Sequence, residues 1–317
     1  MLRRRESGDR AASGRQGAMP GLRAHRVQLG AGLAGAGVLG LVLALVLVLA
    51  PARPALDGRD LPWPTRGVAS VAVGEAVVGG PGSEGPRAMG SIAKLVVALV
   101  ALDLVPPDGG ALQGWHVFDS TDEVIAAHER AAGGAVIDVS AGSALTYREM
   151  LEAALVASSN NHTRSLARFV SGDEGQFLDH AREWLRDNGL DGIELADLTG
   201  MAPETRATAR DLIALSRLAL ADPLISEIVE MPETRIASAQ GSPPRTYVNT
   251  NGLLGRFGGV DGLKTGMTDA AGHSIVVTAP VAEGSDEHII VVILGAPSAA
   301  ERDTAAAALL AAARSAL

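Results

Sequence analysis

The sequence contains no cysteine. That excludes disulfide frameworks, zinc–thiolate centres and thiol nucleophiles together. Aromatic residues make up only 3%, too few for the stacking platforms that hold single-stranded nucleic acid. A net charge of −9 argues the same way, because a polyanion binder needs a basic face. No nucleic-acid partner is expected. The P-loop pattern, the dinucleotide glycine fingerprint and internal repeats are all missing. The seven histidines are scattered, so neither a metal site nor a cofactor is expected; His162 is read as a helix-surface residue. What remains is bulk: 317 residues, 47% hydrophobic and 20% charged. Such a chain can bury a sizeable core in one large domain or two small ones.

Charge is unevenly placed. Residues 1–27 hold seven arginines against Glu6 and Asp9, a balance of +5, which leaves −14 on the other 290 residues. Residues 29–50 then run for 22 positions without a charge, and roughly 20 apolar residues span a bilayer as a helix. Three readings compete. A buried core helix fits poorly, since the run is apolar on every face and basic on one flank. A cleaved signal peptide is allowed by the small residues at 49–55, but its apolar stretch is usually only about 7–15 residues long. The preferred reading is a single-pass anchor in the cytoplasmic membrane, oriented by the arginines. It gives a basic cytoplasmic tail over 1–28, an anchor over 29–50, a proline-bearing linker over 51–66 and an extracytoplasmic domain over 67–317, secreted if the segment is clipped. The spacing Gly32/Ala36/Gly40 is compatible with helix pairing but weak in so small-residue-rich a segment.

Within the domain, the valine-rich stretch 68–78 reads as a strand pair around Gly74. Residues 91–104 carry apolar side chains at helical spacing, and Pro106-Pro107 ends the run. Capping boxes, where a hydroxyl and an acid three residues on satisfy free backbone donors, announce four helices. They start at Thr146/Glu149 (to about 157), Ser171/Glu174 (to about 189), Thr208/Asp211 (to 221) and Ser298/Glu301 (to 317). Strand-like runs occupy 260–264, 273–278 and 288–294. Helices inserted between the first and later strands predict an α+β fold, an antiparallel sheet flanked by helices with an all-helical lobe.

Arginine occurs 25 times and lysine only twice. Surface basic positions have gone to arginine, so a remaining lysine is a candidate for chemistry arginine cannot do, since only lysine can be neutralised by burial. Lys94 follows Ser91 by three positions, one helical turn, which puts an amine beside a hydroxyl. That is the minimum for activating a serine without histidine. The bland alternative is a surface lysine on a capped helix. Lys264 opens Lys264-Thr265-Gly266 at the end of a strand-like run. It would supply a fixed positive charge, with a hydroxyl donor beside it and a glycine that admits a ligand backbone; the alternative is an exposed strand end before a turn. Between them lies Ser158-Ser159-Asn160, read as the end of the helix begun at Thr146. Its hydroxyl and carboxamide could pass a proton and hold a carbonyl, or could form an ordinary polar helix end.

In this order, S-x-x-K, S-x-N and K-T-G resemble the motifs of serine penicillin-binding proteins and β-lactamases. The stretches 249–254, 259–266 and 268–272, with Leu198-Thr199-Gly200-Met201-Ala202-Pro203 and 208–212, are similar to the D-alanyl-D-alanine carboxypeptidases. The resemblance covers about residues 67–317. It implies a peptidase trimming peptidoglycan stem peptides that end in D-Ala-D-Ala, with β-lactams as covalent inhibitors. Ser91 would be the nucleophile of an acyl-enzyme, Lys94 its base and Ser158 a proton relay to the leaving D-alanine. Asn160 would hold a substrate carbonyl, while Lys264, Thr265 and Gly266 line the substrate site and Thr265 takes the terminal carboxylate. The oxyanion hole would be the backbone N–H groups of Ser91 and Met267, with the peptide lying along the Lys264 strand. Asn161 and Thr205 depart from the aspartate and asparagine common in the family, and only 51 residues follow Gly266. Alternatives on the same motifs are a DD-endopeptidase, a class A-like β-lactamase and a non-catalytic wall-peptide or β-lactam binder. The lactamase needs a glutamate on a loop before K-T-G; Glu174, Glu183, Glu194 and Glu204 are available, none in the E-x-x-L-N setting.

Overall fold

Residues 56–105, 114–237 and 242–317 are described by a computed structural model of the chain. The anchor segment 29–50, the tail before it and Pro106-Pro107 lie outside these residues. Among the described residues, no helix is long and apolar enough to cross a membrane.

Runs of β-branched residues form one five-stranded antiparallel sheet. Its strands are β1 (Val68–Val73), β2 (Ala76–Gly79), β3 (Gly262–Thr268), β4 (Gly272–Pro280) and β5 (His288–Ala296), in the spatial order β3-β4-β5-β1-β2. Side chains alternate across a strand, and here both faces are apolar. Val71, Val73, Ile275, Val277, Ile289, Val291 and Ile293 join one core; Val68, Ala72, Val276, Ile290, Val292 and Leu294 join another. Burial on both faces explains why the strands read as near-continuous valine and isoleucine.

The described helices are α1 (Ala93–Asp103), α2 (Ser120–Ala131), α3 (Tyr147–Leu155), α4 (Asn160–Ser171), α5 (Glu174–Asp187), α6 (Ala209–Ala221), α7 (Pro223–Glu230) and α8 (Ala299–Ser315). The alanine-rich α8 covers the first face of the sheet through Ala306, Leu309, Leu310 and Ala313. Residues before β1 join this side, with Leu61 buried in the same core and Trp63 Nε1 donating to Gly58 O at 2.7 Å. Helix α6 packs on the opposite face, and α1 lies beyond it among α3, α4, α5 and α6. Every α1 residue from Ala93 to Ala101 is buried, Lys94 included. A helix apolar all round belongs in the middle of a lobe.

Three readings of local structure are corrected. Ser171 does not open α5; it ends α4, its hydroxyl donating back to Ala167 O, and Asp173 caps α5 by accepting from the N–H groups of Gly175 and Gln176. Asp173→Ala is expected to destabilise the fold by about 1 kcal/mol, the usual loss for an N-cap, read as a lower denaturation midpoint. Residues 158–160 do not end the Thr146 helix, which stops at Leu155; Ser159 caps the next helix, α4. The strand placed over 260–264 begins two residues later and runs on to Thr268. Thr146 and Glu149 do form a reciprocal capping box, and Thr208 and Ser298 cap α6 and α8.

Candidate active site

Ser91 sits in a single 3-10 turn, Gly90–Ile92, that leads directly into α1. The turn is pressed against β3. A Cβ on Gly266 would collide with the Met89 carbonyl and stand 3.0 Å from Ser91 N, and one on Gly90 would stand 3.0 Å from Met267 N. Gly266 therefore admits a neighbouring turn of the same chain. The backbone nitrogens of Ser91 and Met267 thus belong to two segments in contact.

Lys94, one turn into the lobe, is fully buried. Its Nζ lies 2.6 Å from Ser91 Oγ, 2.8 Å from Asn160 Oδ1 and 3.3 Å from the Thr199 carbonyl. Burial draws this amine down to about 7, against the opposing pull of Asp197 and Glu129. Desolvation disfavours an ammonium, and nearby carboxylates restore only part of the loss.

Ser158 is held in the left-handed region, φ +58°, the one non-glycine among the described residues with a positive φ. Such a residue persists only where its surroundings over-determine it. Here the hydroxyl accepts from Lys264 Nζ at 2.9 Å, and the same amine reaches Thr265 O at 3.2 Å. Lys264 is as buried as Lys94, and burial, with the charges on Lys94 and Arg302, lowers it well below the ordinary lysine range. A fixed charge at this position thus has to be supported by a partner. Thr265, largely buried, donates its hydroxyl to Thr250 Oγ1 at 2.7 Å. The structure thus gathers Ser91, Lys94 and Asn160 in one hydrogen-bonded set, with Ser158, Lys264 and Thr265 in a second beside it.

Four participants escape sequence reasoning. Glu129, on α2, accepts from Asn160 Nδ2 at 2.9 Å. Thr199 supplies its carbonyl to Lys94, and Thr250 meets Thr265. Asp197 gathers the loop that carries Thr199: its carboxylate accepts from the N–H groups of Thr199, Met201 and Ala202 and from the hydroxyls of Thr199 and Thr205. Burial pushes Asp197 up, but these hydrogen bonds outweigh it and leave the carboxyl below its ordinary value. Thr205 in place of asparagine is thereby accounted for. So is Asn161, whose amide bonds both the N–H and the carbonyl of Ile137.

His162 is not on the helix surface. It is fully buried, edge-on to Phe118, with Nδ1 2.9 Å from Ser159 Oγ, and burial lowers it to about 3. Of the four glutamates weighed for a lactamase, Glu183 and Glu204 are exposed, while Glu174 pairs with Arg164 and Glu194 with Arg206.

A family model described as D-alanyl-D-alanine carboxypeptidase matches residues 76–298. The D-alanyl-D-alanine carboxypeptidase DacF of Bacillus subtilis is 28% identical over 178 residues, 56% of this chain and 44% of its own. A D-alanyl-D-alanine endopeptidase of Escherichia coli is 28% identical over 192 residues, 60% and 59% of the two chains. The chain spans about half the length of the curated relatives it matches. Among solved structures, the Streptomyces K15 DD-transpeptidase superposes with a TM-score of 0.72 at 18% identity, over 80% of this chain and 99% of that one. A D-alanyl-D-alanine carboxypeptidase of Mycobacterium tuberculosis gives 0.67 at 24%, over 80% and 93%. At these identities the superpositions speak for the fold.

Proposed function

Because this chain belongs to the D-alanyl-D-alanine carboxypeptidase family, we propose that it is a serine DD-peptidase releasing the terminal D-alanine of peptidoglycan stem peptides. The observation that carries the reading is the buried amine of Lys94, 2.6 Å from Ser91 Oγ and held near 7 by burial. A serine hydroxyl is too weak an acid to attack at neutral pH unaided, and a neutral amine in hydrogen-bond contact is a sufficient base.

In the proposed sequence Lys94 takes the Ser91 proton and Oγ attacks the carbonyl carbon of the penultimate D-alanine. The oxyanion collects between the N–H groups of Ser91 and Met267. As the C–N bond breaks, the leaving amine takes a proton through Ser158, and the peptide stays on Ser91 as an ester. Water then cleaves that ester, with the proton returning over the same side chains. One N–H of Asn160 is left for a substrate carbonyl. The terminal carboxylate sits at Thr265 and Lys264, where its negative charge offsets what burial and Lys94 do to the second ammonium. Gly266 keeps β3 close to the Ser91 turn, and β3, an edge strand, pairs with the extended peptide. β-Lactams acylate Ser91 in the same way. The 29–50 segment anchors the enzyme in the cytoplasmic membrane with the catalytic domain outside; clipping would release it.

The test is to incubate the full-length protein with a peptide ending in D-Ala-D-Ala and with a cross-linked peptide dimer. Free D-alanine from the first is the expected result. Cleavage of the dimer without D-alanine release would move the assignment to an endopeptidase, the activity named for the Escherichia coli relative.

A further inference from the structure

We propose that Glu129 is a positioning residue for the reaction: it fixes which end of the Asn160 amide faces Lys94. The inference rests on the peptidase reading above. A carboxamide has a donor end and an acceptor end, and turning it over exchanges them. Lys94 cannot choose between the two orientations through a whole reaction, because a free amine can accept as well as donate. A carboxylate can only accept. Glu129 Oε2, 2.9 Å from Asn160 Nδ2, therefore demands N–H at that end in every protonation state of Lys94, and Oδ1 is committed to Lys94 Nζ at 2.8 Å.

The consequence falls on the proton transfer. An amine that has just taken the Ser91 proton always meets an oxygen at Asn160. With the amide reversed it would meet N–H groups and be repelled, leaving a buried ammonium short of an acceptor. The second Nδ2 hydrogen stays free for the substrate.

Glu129 is itself held for this task. It is buried, and its other oxygen accepts from Arg164 at 2.8 Å, while Arg164 is also bound by Glu174 at 3.0 Å. Gly134 makes room for the contact: a Cβ there would collide with Asn160 Nδ2 and lie 3.0 Å from Glu129 Oε2. The charged groups around Lys94 are Glu129 from α2, Asp197 from the loop before Thr199 and Lys264 from β3. His128, Arg164 and Glu174 stand beyond Glu129, and Arg302 of α8 acts on Lys264.

Two lysines in the whole chain make the test direct. In full-length protein labelled with ¹³C-lysine, the folded state gives two side-chain signals, assigned with Lys264→Arg. Glu129→Gln removes an anion and the fixed amide together. The Lys94 titration midpoint is expected to fall, because the ammonium loses a stabilising charge, and acylation by a fluorescent penicillin to drop about tenfold to a hundredfold. Glu129→Asp keeps the charge but withdraws the oxygen from Asn160. It is expected to leave the midpoint nearly in place and to lose acylation all the same, a split that a merely structural glutamate would not produce. Wild-type acylation in either variant overturns the proposal. If both variants lose the folded lysine signals, Gly134→Ala decides, since its Cβ would press between Asn160 Nδ2 and Glu129 Oε2 while both side chains remain present. A loss of acylation there with the Lys94 midpoint nearly in place supports the proposal, and a wild-type rate or a midpoint shifted as far as the rate overturns it. A wild-type protein that penicillin does not label would instead overturn the peptidase reading, and this one with it.

Discussion

Lys94→Arg is expected to reduce acylation by fluorescent penicillin about a thousandfold, nearly as far as Ser91→Ala, which removes the proposed nucleophile itself. Arginine keeps a positive charge and a long apolar stem, so the substitution looks mild. It removes the one property the proposed chemistry depends on, an amine that is neutral at working pH. Burial holds Lys94 near 7, whereas a guanidinium stays protonated in any protein environment and cannot accept the Ser91 proton. Loss of a general base typically costs about 10²–10⁴-fold. The wild-type protein is expected to carry the same argument in its pH profile. Above about 7 the amine is free and the rate is full; as pH falls through that value Lys94 takes up a proton and acylation declines. The acid limb should therefore have its midpoint close to the value burial gives Lys94. A limb near the ordinary carboxylate range instead would mean that some other group accepts the proton.

The same scarcity that makes this experiment clean also made the site legible. With arginine at 25 positions and lysine at two, each lysine and its immediate neighbours stood out, and S-x-x-K, S-x-N and K-T-G are local enough to read in one dimension. The fold was legible for a related reason: strands of valine and isoleucine and hydroxyl-capped helices are written in neighbouring residues. What was missed is tertiary or carries a less familiar signature. Helix α2 is capped by Asp119 with Asp122 in the answering position, and α7 begins at Pro223, which reads equally well as a stop for α6. Residues 158–160 look like a polar helix end because they are polar; that they open α4 depends on Ser158 adopting a left-handed turn that no serine announces. Glu129 and Asp197 are single acids among 36 acidic residues. Nothing local distinguishes them, and only the folding of α2 and the 197–205 loop onto Lys94 gives them a role. His162 shows the converse, a polar residue on an apparently polar stretch that packing carries into the core.

Gly200→Ala is expected to cost both stability and acylation, and it tests whether the Asp197 loop is a backstop for the proposed nucleophile. Gly200 has φ +82°, and a Cβ there would run into the Gly90 carbonyl, in the turn that carries Ser91. One residue earlier, the Thr199 carbonyl stands 3.3 Å from Lys94 Nζ and 3.5 Å from Ser91 Oγ. The loop cannot retreat freely, because the Asp197 carboxylate ties down the N–H groups of Thr199, Met201 and Ala202. Left-handed strain and a backbone collision together should destabilise the protein by about 3 kcal/mol or more. What relaxation occurs must move either Gly90 or Thr199, and both carry the geometry of the pair. Gly172→Ala separates the two contributions: Gly172 has nearly the same φ, +80°, and nothing within 4 Å of its Cβ position. It should cost about 1–2 kcal/mol of left-handed strain and leave acylation untouched. Equal effects in the two variants would show that strain alone is at work. Normal acylation in a destabilised Gly200→Ala protein would show that Ser91 and Lys94 hold their relation without the loop, and that the Thr199 carbonyl is a bystander.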